Sequence, residues 1–318
     1  MKERSNSLTV NTQPVVIDVD DVDGDSFIKY FRSEEKRLKK LLRAEGAIKF
    51  KGVRIPSTEE FQRIVNSFSN KFLAYVDGNS PRTKLTDNVY TSTEYDQTRK
   101  ITMHNELSYS AKWPGEIFFC CIQPAASGGE TLIADSRQIL SRMNKDIVSR
   151  VEKEGILYIR NLHGGIGVGP SWQATFETKD RSVLEEYCKA YGIELQWRDD
   201  NHIRLLQKSK GIISHRTTGQ RAWFNQIDQF HPYQLGEELY STMMAMYETP
   251  EDFPTYVKFG NGEAIKEDLI KEILSTIEQV TIAPPWERNE LLWLDNEIVS
   301  HGRNSFTGER KVLVMMAE

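Results

Sequence analysis

No uninterrupted apolar run in this 318-residue chain is longer than six residues; the longest are 117–122 and 312–317. A membrane-spanning helix needs roughly 20 apolar residues, so no transmembrane segment is expected and such runs read as short strands. Strands are predicted at 47–53, 116–122, 131–134, 156–160, 193–197, 203–206, 211–215, 291–294 and 311–316. Helical periodicity is confined to 26–43, to 57–68 behind the capping-box spacing Ser57-Thr58-Glu59-Glu60, and to 136–143, 180–191, 234–247 and 263–279. Many short strands with a few helices point to a sandwich or barrel decorated by helices. Length alone permits two domains, but β architectures of this size often form one unit. The expected organisation is a peripheral segment over 1–25 and a single domain over 26–318.

Charge narrows the partners. With 41 Lys+Arg against 46 Asp+Glu the formal charge is -5, and the clustered basic surplus that neutralises nucleic-acid phosphates is missing. The run Lys36-Arg37-Leu38-Lys39-Lys40 follows Glu34-Glu35 and reads as a solvated helix face. The polar start Met1-Lys2-Glu3-Arg4-Ser5-Asn6-Ser7 lacks the apolar core of a secretory leader, so a cytoplasmic protein is expected. Cys120, Cys121 and Cys188 form no CxxC pair and read as reduced core residues. The acidic stretch Asp18-Val19-Asp20-Asp21-Val22-Asp23-Gly24-Asp25 suggests a calcium loop, but position twelve from Asp18 is Lys29 where a glutamate ligand is needed. It reads as a frayed or turn-rich segment.

The chemistry concentrates in two places. In Ile101-Thr102-Met103-His104-Asn105-Glu106 the residues His104 and Glu106 are two apart, so on a strand they face one side. That is two-thirds of a 2-His-1-carboxylate face, which holds non-haem Fe(II) with open positions. Near the other end, Asp295-Asn296-Glu297-Ile298-Val299-Ser300-His301-Gly302-Arg303 offers a second histidine beside a strand. Arg310 follows nine residues later, a guanidinium fork able to grip a carboxylate with two parallel hydrogen bonds.

These segments, with Thr91-Ser92-Thr93-Glu94-Tyr95, Pro124 through Gly128-Gly129-Glu130-Thr131, Trp223-Phe224-Asn225-Gln226 and Phe306-x-Gly308-x-Arg310, follow one order from about residue 47 onward. The sequence resembles the taurine dioxygenase family of Fe(II)- and 2-oxoglutarate-dependent oxygenases, within the clavaminate-synthase-like superfamily. The resemblance implies a mainly β fold with α additions, a double-stranded β-helix or jelly roll with a helical N-terminal part and insertions. It implies that His104, Glu106 and His301 bind iron, and that Arg310 and the Thr131 hydroxyl hold the distal carboxylate of 2-oxoglutarate. It also implies consumption of O2 and oxidation of an unactivated C–H bond, with hydroxylation ahead of desaturation or cyclisation.

Departures from the family's commoner pattern shape the substrate expectation. The His-x-Glu form is that of clavaminate synthase and several amino-acid hydroxylases, and a retained Glu106 argues against halogenation, which needs a small residue there. Some relatives carry a second arginine four residues after Arg310 for an acidic substrate group; here Val314 stands there, which argues against a taurine-like sulfonate. The expected substrate is an amino acid or amino-acyl derivative of specialised metabolism such as antibiotic biosynthesis, free or tethered to a carrier protein. Ser108, Gln226 and Asp228 are candidates for its amino group and Arg82 for its carboxylate. A non-catalytic jelly-roll binding protein is the rival from another class. The Gly-rich stretch His163-Gly164-Gly165-Ile166-Gly167-Val168-Gly169-Pro170 lacks the Lys-Ser/Thr of a phosphate loop and reads as a mobile loop or lid. His163, His202, His215 and His231 read as structural residues without carboxylate partners, with His215 at a hairpin turn.

Overall fold

The structure is a computed structural model and describes residues 3–4, 14–80 and 82–318. Apart from Glu3 and Arg4, the polar start at 1–7 lies outside the described residues. A seven-stranded sheet runs in the order Glu3–Arg4, Val15–Val22, Ala47–Val53, Leu291–Asp295, Glu116–Gln123, Lys311–Ala317 and Tyr90–Thr91. Its central strands are apolar on both sides because both faces are covered. Along Glu116–Gln123, Phe118 and Cys120 join a core shared with the helices Gly24–Glu45 and Thr58–Val65, while Ile117, Phe119 and Cys121 join the core on the other face. The period of two sends successive side chains to opposite faces, so a doubly covered strand is a continuous apolar run.

The second core includes Ile133 and Val299, which belong to a three-stranded sheet of Ile101–His104, Val299–Arg303 and Thr131–Asp135. The large and small sheets with apolar side chains between them form the jelly roll that the sequence pattern anticipates. A four-stranded sheet, Glu194–Trp197, Ile203–Ser209, Ile156–Leu162 and Thr255–Phe259, is inserted between the strands of the small sheet in chain order. Among the described residues no helix is long and apolar enough to cross a membrane. Cys120, Cys121 and Cys188 are buried and unpaired, as expected of core thiols.

Residues 15–22 depart from the expectation of a frayed segment. They form a strand paired in parallel with Ala47–Val53, reached through the helix Gly24–Glu45 as crossover. Ile17 and Val19 are buried while Asp18 and Asp20 are exposed, so the acid/apolar alternation is a strand's period and not a loop's. Ser57 caps the next helix by accepting from the Glu60 N–H (3.2 Å), and that helix ends at Val65, three residues before the expected stop. The helix Lys145–Glu154 and the strand Thr255–Phe259 have no counterpart in the sequence reading.

Candidate functional site

The small sheet brings the two histidines together. His301 lies within the strand Val299–Arg303, not beside one, and pairs directly across the antiparallel ladder with His104. Their ring centroids are 4.4 Å apart. Glu106 departs from the expected geometry. The strand ends at His104, and Leu107 turns through the left-handed region at φ 55°, so the carboxylate reaches the cluster from a tight turn instead of a shared strand face. Its Oε2 lies 3.6 Å from His301 Nε2. All three residues are buried, and their candidate ligand atoms lie within 4.8 Å of one another.

The donor set fits a divalent metal. His104 Nδ1 lies 2.9 Å from the Thr102 carbonyl, which only accepts, so Nδ1 carries the proton and Nε2 presents a lone pair. Burial and the neighbouring His301 push the His104 imidazole down to about 4, keeping it neutral at physiological pH. Burial alone would raise the Glu106 carboxyl, but Arg82 and the two imidazoles outweigh it and hold the group well below the usual carboxylate range. Arg82 Nη2 donates to Glu106 Oε2 at 2.5 Å, and the guanidinium lies 4.3 Å from the centroid of the Tyr75 ring. The side chain is 2% exposed, yet among the described residues Nε and Nη1 have no hydrogen-bond partner.

One cavity is lined by Arg82, His104, His301, Phe119, Thr131 and Arg310, among others. Arg310 Nε donates to the Gly129 carbonyl (2.7 Å) and Nη1 to Ser92 Oγ (3.0 Å). That approach explains the glycine: at φ 74°, a Cβ on Gly129 would stand 2.9 Å from Arg310 Cδ. Among the described residues no carboxylate pairs with Arg310, and burial followed by repulsion from Arg303 pushes its guanidinium down to about 10. A half-buried guanidinium with spare donors and no carboxylate beside it can receive an anion.

Sequence reasoning missed Trp286, whose Nε1 donates to Thr131 Oγ1 at 3.1 Å. The Lys49 ammonium lies 5.0 Å from the centroid of that indole and is paired with Glu290 at 2.8 Å. No periodicity links position 286 to 131, so nothing in the sequence signals the contact. Other motif residues act on backbone. Arg303 donates to the carbonyls of Thr93, Tyr95, Asp96 and Arg99, gathering the loop that carries Thr93-Glu94-Tyr95.

Of the substrate candidates, Arg82 lines the cavity, while Ser108, Gln226 and Asp228 are not among its lining residues. Gln226 Nε2 is committed to the Asn105 carbonyl at 2.9 Å. Ser108 Oγ and Asp228 Oδ2 are buried without hydrogen-bond partners among the described residues, and burial pushes the Asp228 carboxyl up to about 7. His215 sits at a hairpin turn as expected, but it does have a carboxylate partner: its Nε2 lies 3.0 Å from Asp295 Oδ2. The Gly-rich loop exposes Ile166 and Val168.

Fold and site together define an Fe(II)- and 2-oxoglutarate-dependent oxygenase that uses O2. A sequence model of the family described as taurine catabolism dioxygenase TauD, TfdA family matches residues 7–316, and the chain belongs to that family. It is 33% identical over 278 residues to the dapdiamide synthesis protein DdaC of Enterobacter agglomerans, a match covering 87% of this chain and 84% of the relative. It is 29% identical over 304 residues to a clavaminate synthase-like protein of Arabidopsis thaliana, covering 92% and 87%. The fold matches that of PvcB from Pseudomonas aeruginosa with a TM-score of 0.52 at 12% identity, covering 89% of this chain and 78% of the other.

Proposed function

We propose that His104, Glu106 and His301 hold Fe(II), that Arg310 and Thr131 receive the far carboxylate of 2-oxoglutarate, and that the enzyme hydroxylates an unactivated C–H of a small amino-acid-like substrate. The observation that carries this reading is one cavity that Arg310, a half-buried guanidinium with no carboxylate partner among the described residues, shares with His104 and His301 of the His/Glu/His cluster. Bound iron, with 2-oxoglutarate and O2 as co-reactants, supplies the oxidising power for such a bond.

The chain's own residues do the placing. The Thr102 carbonyl fixes the His104 tautomer so that Nε2 faces the cluster. Thr131 Oγ1 accepts from Trp286, which leaves the hydroxyl proton free to donate to a carboxylate. Phe119, with its ring 5.2 Å from that of His301, gives the cavity an apolar wall. Arg82 brings two unpartnered donors to the same cavity, and a free carboxylate satisfies a guanidinium fork better than a thioester or amide carbonyl does. This favours a free amino acid over a carrier-tethered acyl group. Ser108 and Asp228 lie outside the cavity's lining and Gln226 acts through the backbone of Asn105, so of the four substrate candidates Arg82 is the one that faces the cavity. The relative named for dapdiamide synthesis supports a place in specialised metabolism. Three unpaired cysteines support a cytoplasmic location. The oxygenase unit begins no later than Val15 on this reading, because Ile17 and Val19 are part of its core.

The test is an amino-acid library incubated with Fe(II), 2-oxoglutarate and O2 and read by mass. A gain of one oxygen matched by succinate is expected. Loss of two hydrogens would redirect the reading to desaturation or cyclisation, and no succinate with any substrate would favour a binding protein. His301→Ala is expected to abolish Fe(II) binding and turnover together; retained turnover would remove the metal assignment.

A further inference from the structure

The three proposed metal ligands are not held in the same way. His104 and His301 are fixed by the ladder of the small sheet, each opposite the other. Glu106 has left its strand, and its peptide has no ladder neighbour. The backbone N–H and the backbone carbonyl of Glu106 are both taken instead by one side chain. Asn296 Oδ1 accepts from the Glu106 N–H at 2.7 Å, and Asn296 Nδ2 donates to the Glu106 carbonyl at 3.0 Å and to the Pro114 carbonyl at 2.8 Å. A carboxamide offers an acceptor and donors in one plane, so it can pair with a peptide as an adjacent strand would. Asn296 is fully buried, and its own backbone is tied down: its N–H donates to the Gly115 carbonyl at 2.9 Å, and its carbonyl accepts from Asn105 Nδ2 at 2.7 Å.

Its place in the chain gives the contact its meaning. Asn296 occupies the turn that carries the chain from Leu291–Asp295 of the large sheet to Val299–Arg303 of the small one, five residues before His301. The side chain that fixes the backbone of Glu106 therefore belongs to the turn that leads directly into the strand that fixes His301. A glutamate has one more rotatable bond than an aspartate, so its carboxylate is placed only if its backbone is held and its stem packed. We infer that Asn296 is the positioning residue for the metal's carboxylate ligand, setting the span between Glu106 and His301 before any metal arrives. The inference rests on the proposed role of Glu106.

The experiment measures Mn(II), a redox-inert probe, binding to the metal-stripped full chain by equilibrium dialysis without cosubstrate. Asn296→Asp keeps the shape of the side chain but removes the N–H donors to Glu106 and Pro114. It is expected to weaken Mn(II) binding about 10- to 100-fold, the range found when groups orienting a metal ligand are removed. Asn161→Ala is the control for stability alone, since Asn161, on the inserted sheet, ties the carbonyls of Glu251 and Phe253 just before the strand Thr255–Phe259. Its thermal midpoint should fall with Mn(II) affinity unchanged. Mn(II) affinity of Asn296→Asp within twofold of the natural chain would overturn the inference, whatever its thermal midpoint. Glu106→Gln separates the two levels: if it binds Mn(II) normally, the ligand assignment itself falls; if it loses Mn(II) while Asn296→Asp does not, only the positioning role falls. Should Asn296→Asp fail to fold, Asn296→Gln displaces both functions by one methylene and carries the same expectation in the same assay.

Discussion

Two arginines are buried in this molecule in nearly the same surroundings, and they end differently. Arg160 and Arg82 are each at most 2% exposed, each donates to a buried carboxylate at 2.5 Å, and each lies over a tyrosine ring, Tyr109 and Tyr75 respectively. Arg160 spends both ends of its fork on one residue, Nη2 on Asp77 Oδ1 and Nη1 on the Asp77 carbonyl (3.1 Å). Arg82 spends one nitrogen on Glu106 and leaves Nε and Nη1 unpartnered beside the cavity. Burial and a counter-ion alone therefore do not separate a structural arginine from a receptive one. The unfilled donors do, because a buried N–H without a partner costs about 1–3 kcal/mol until something satisfies it.

The comparison breaks if the two arginines respond alike to removal. Arg160→Met strands the Asp77 carboxylate and is expected to cost about 3–5 kcal/mol of unfolding free energy in urea denaturation. A loss under about 1 kcal/mol would mean that the pair holds nothing together. Arg82→Met, measured with Mn(II) present to neutralise Glu106, should be affected much less in stability. Its expected signature is a Michaelis constant for the proposed amino-acid substrate raised about 10- to 150-fold, the equivalent of one charge-assisted hydrogen-bonding contact. An unchanged Michaelis constant would make Arg82 a second structural arginine.

Asp228 sharpens the same comparison from the other side, as a buried carboxyl with no cation paired to it among the described residues. Burial pushes it up to about 7 from an ordinary value near 4. The folded chain then holds this proton more tightly than the unfolded chain, so stability falls as pH rises from about 4 through 7. Asp228→Asn should flatten that slope and be more stable than the natural chain by about 1–3 kcal/mol at pH 8. Parallel melting curves for the two proteins between pH 5 and pH 8 would exclude a raised carboxyl here.

What the sequence could express locally it expressed well. The strands Ala47–Val53 and Leu291–Asp295 and the capped helix starts at Ser57 and Asp180 follow from runs and spacings within a few residues. Readings failed where the deciding partner was distant. The alternation at 15–22 became a strand only because Ala47–Val53 lies beside it, 22 helical residues later. Glu106 was read on a strand because the positive φ of Leu107 leaves no trace in a leucine. The Asp295 partner of His215, the Asp77 partner of Arg160 and the Trp286 partner of Thr131 are all 80 or more positions away. The His-x-Glu and the second histidine were legible because their chemistry is carried by residue type. Their support was not, because it is carried by backbone groups that every residue has.

The bond from Trp286 to Thr131 also has an optical consequence. An indole whose N–H is held by a hydroxyl lining the cavity emits light in a way that depends on that hydroxyl's other partner. On the proposed role of Thr131, adding 2-oxoglutarate should change the intrinsic fluorescence of the protein without any label. Of its six tryptophans, Trp286 should carry most of the change, so a Trp286→Phe chain should be nearly silent to the same titration. The enzyme would then report the filling of its own site to a fluorimeter, in the absence of any turnover and before its substrate has been identified.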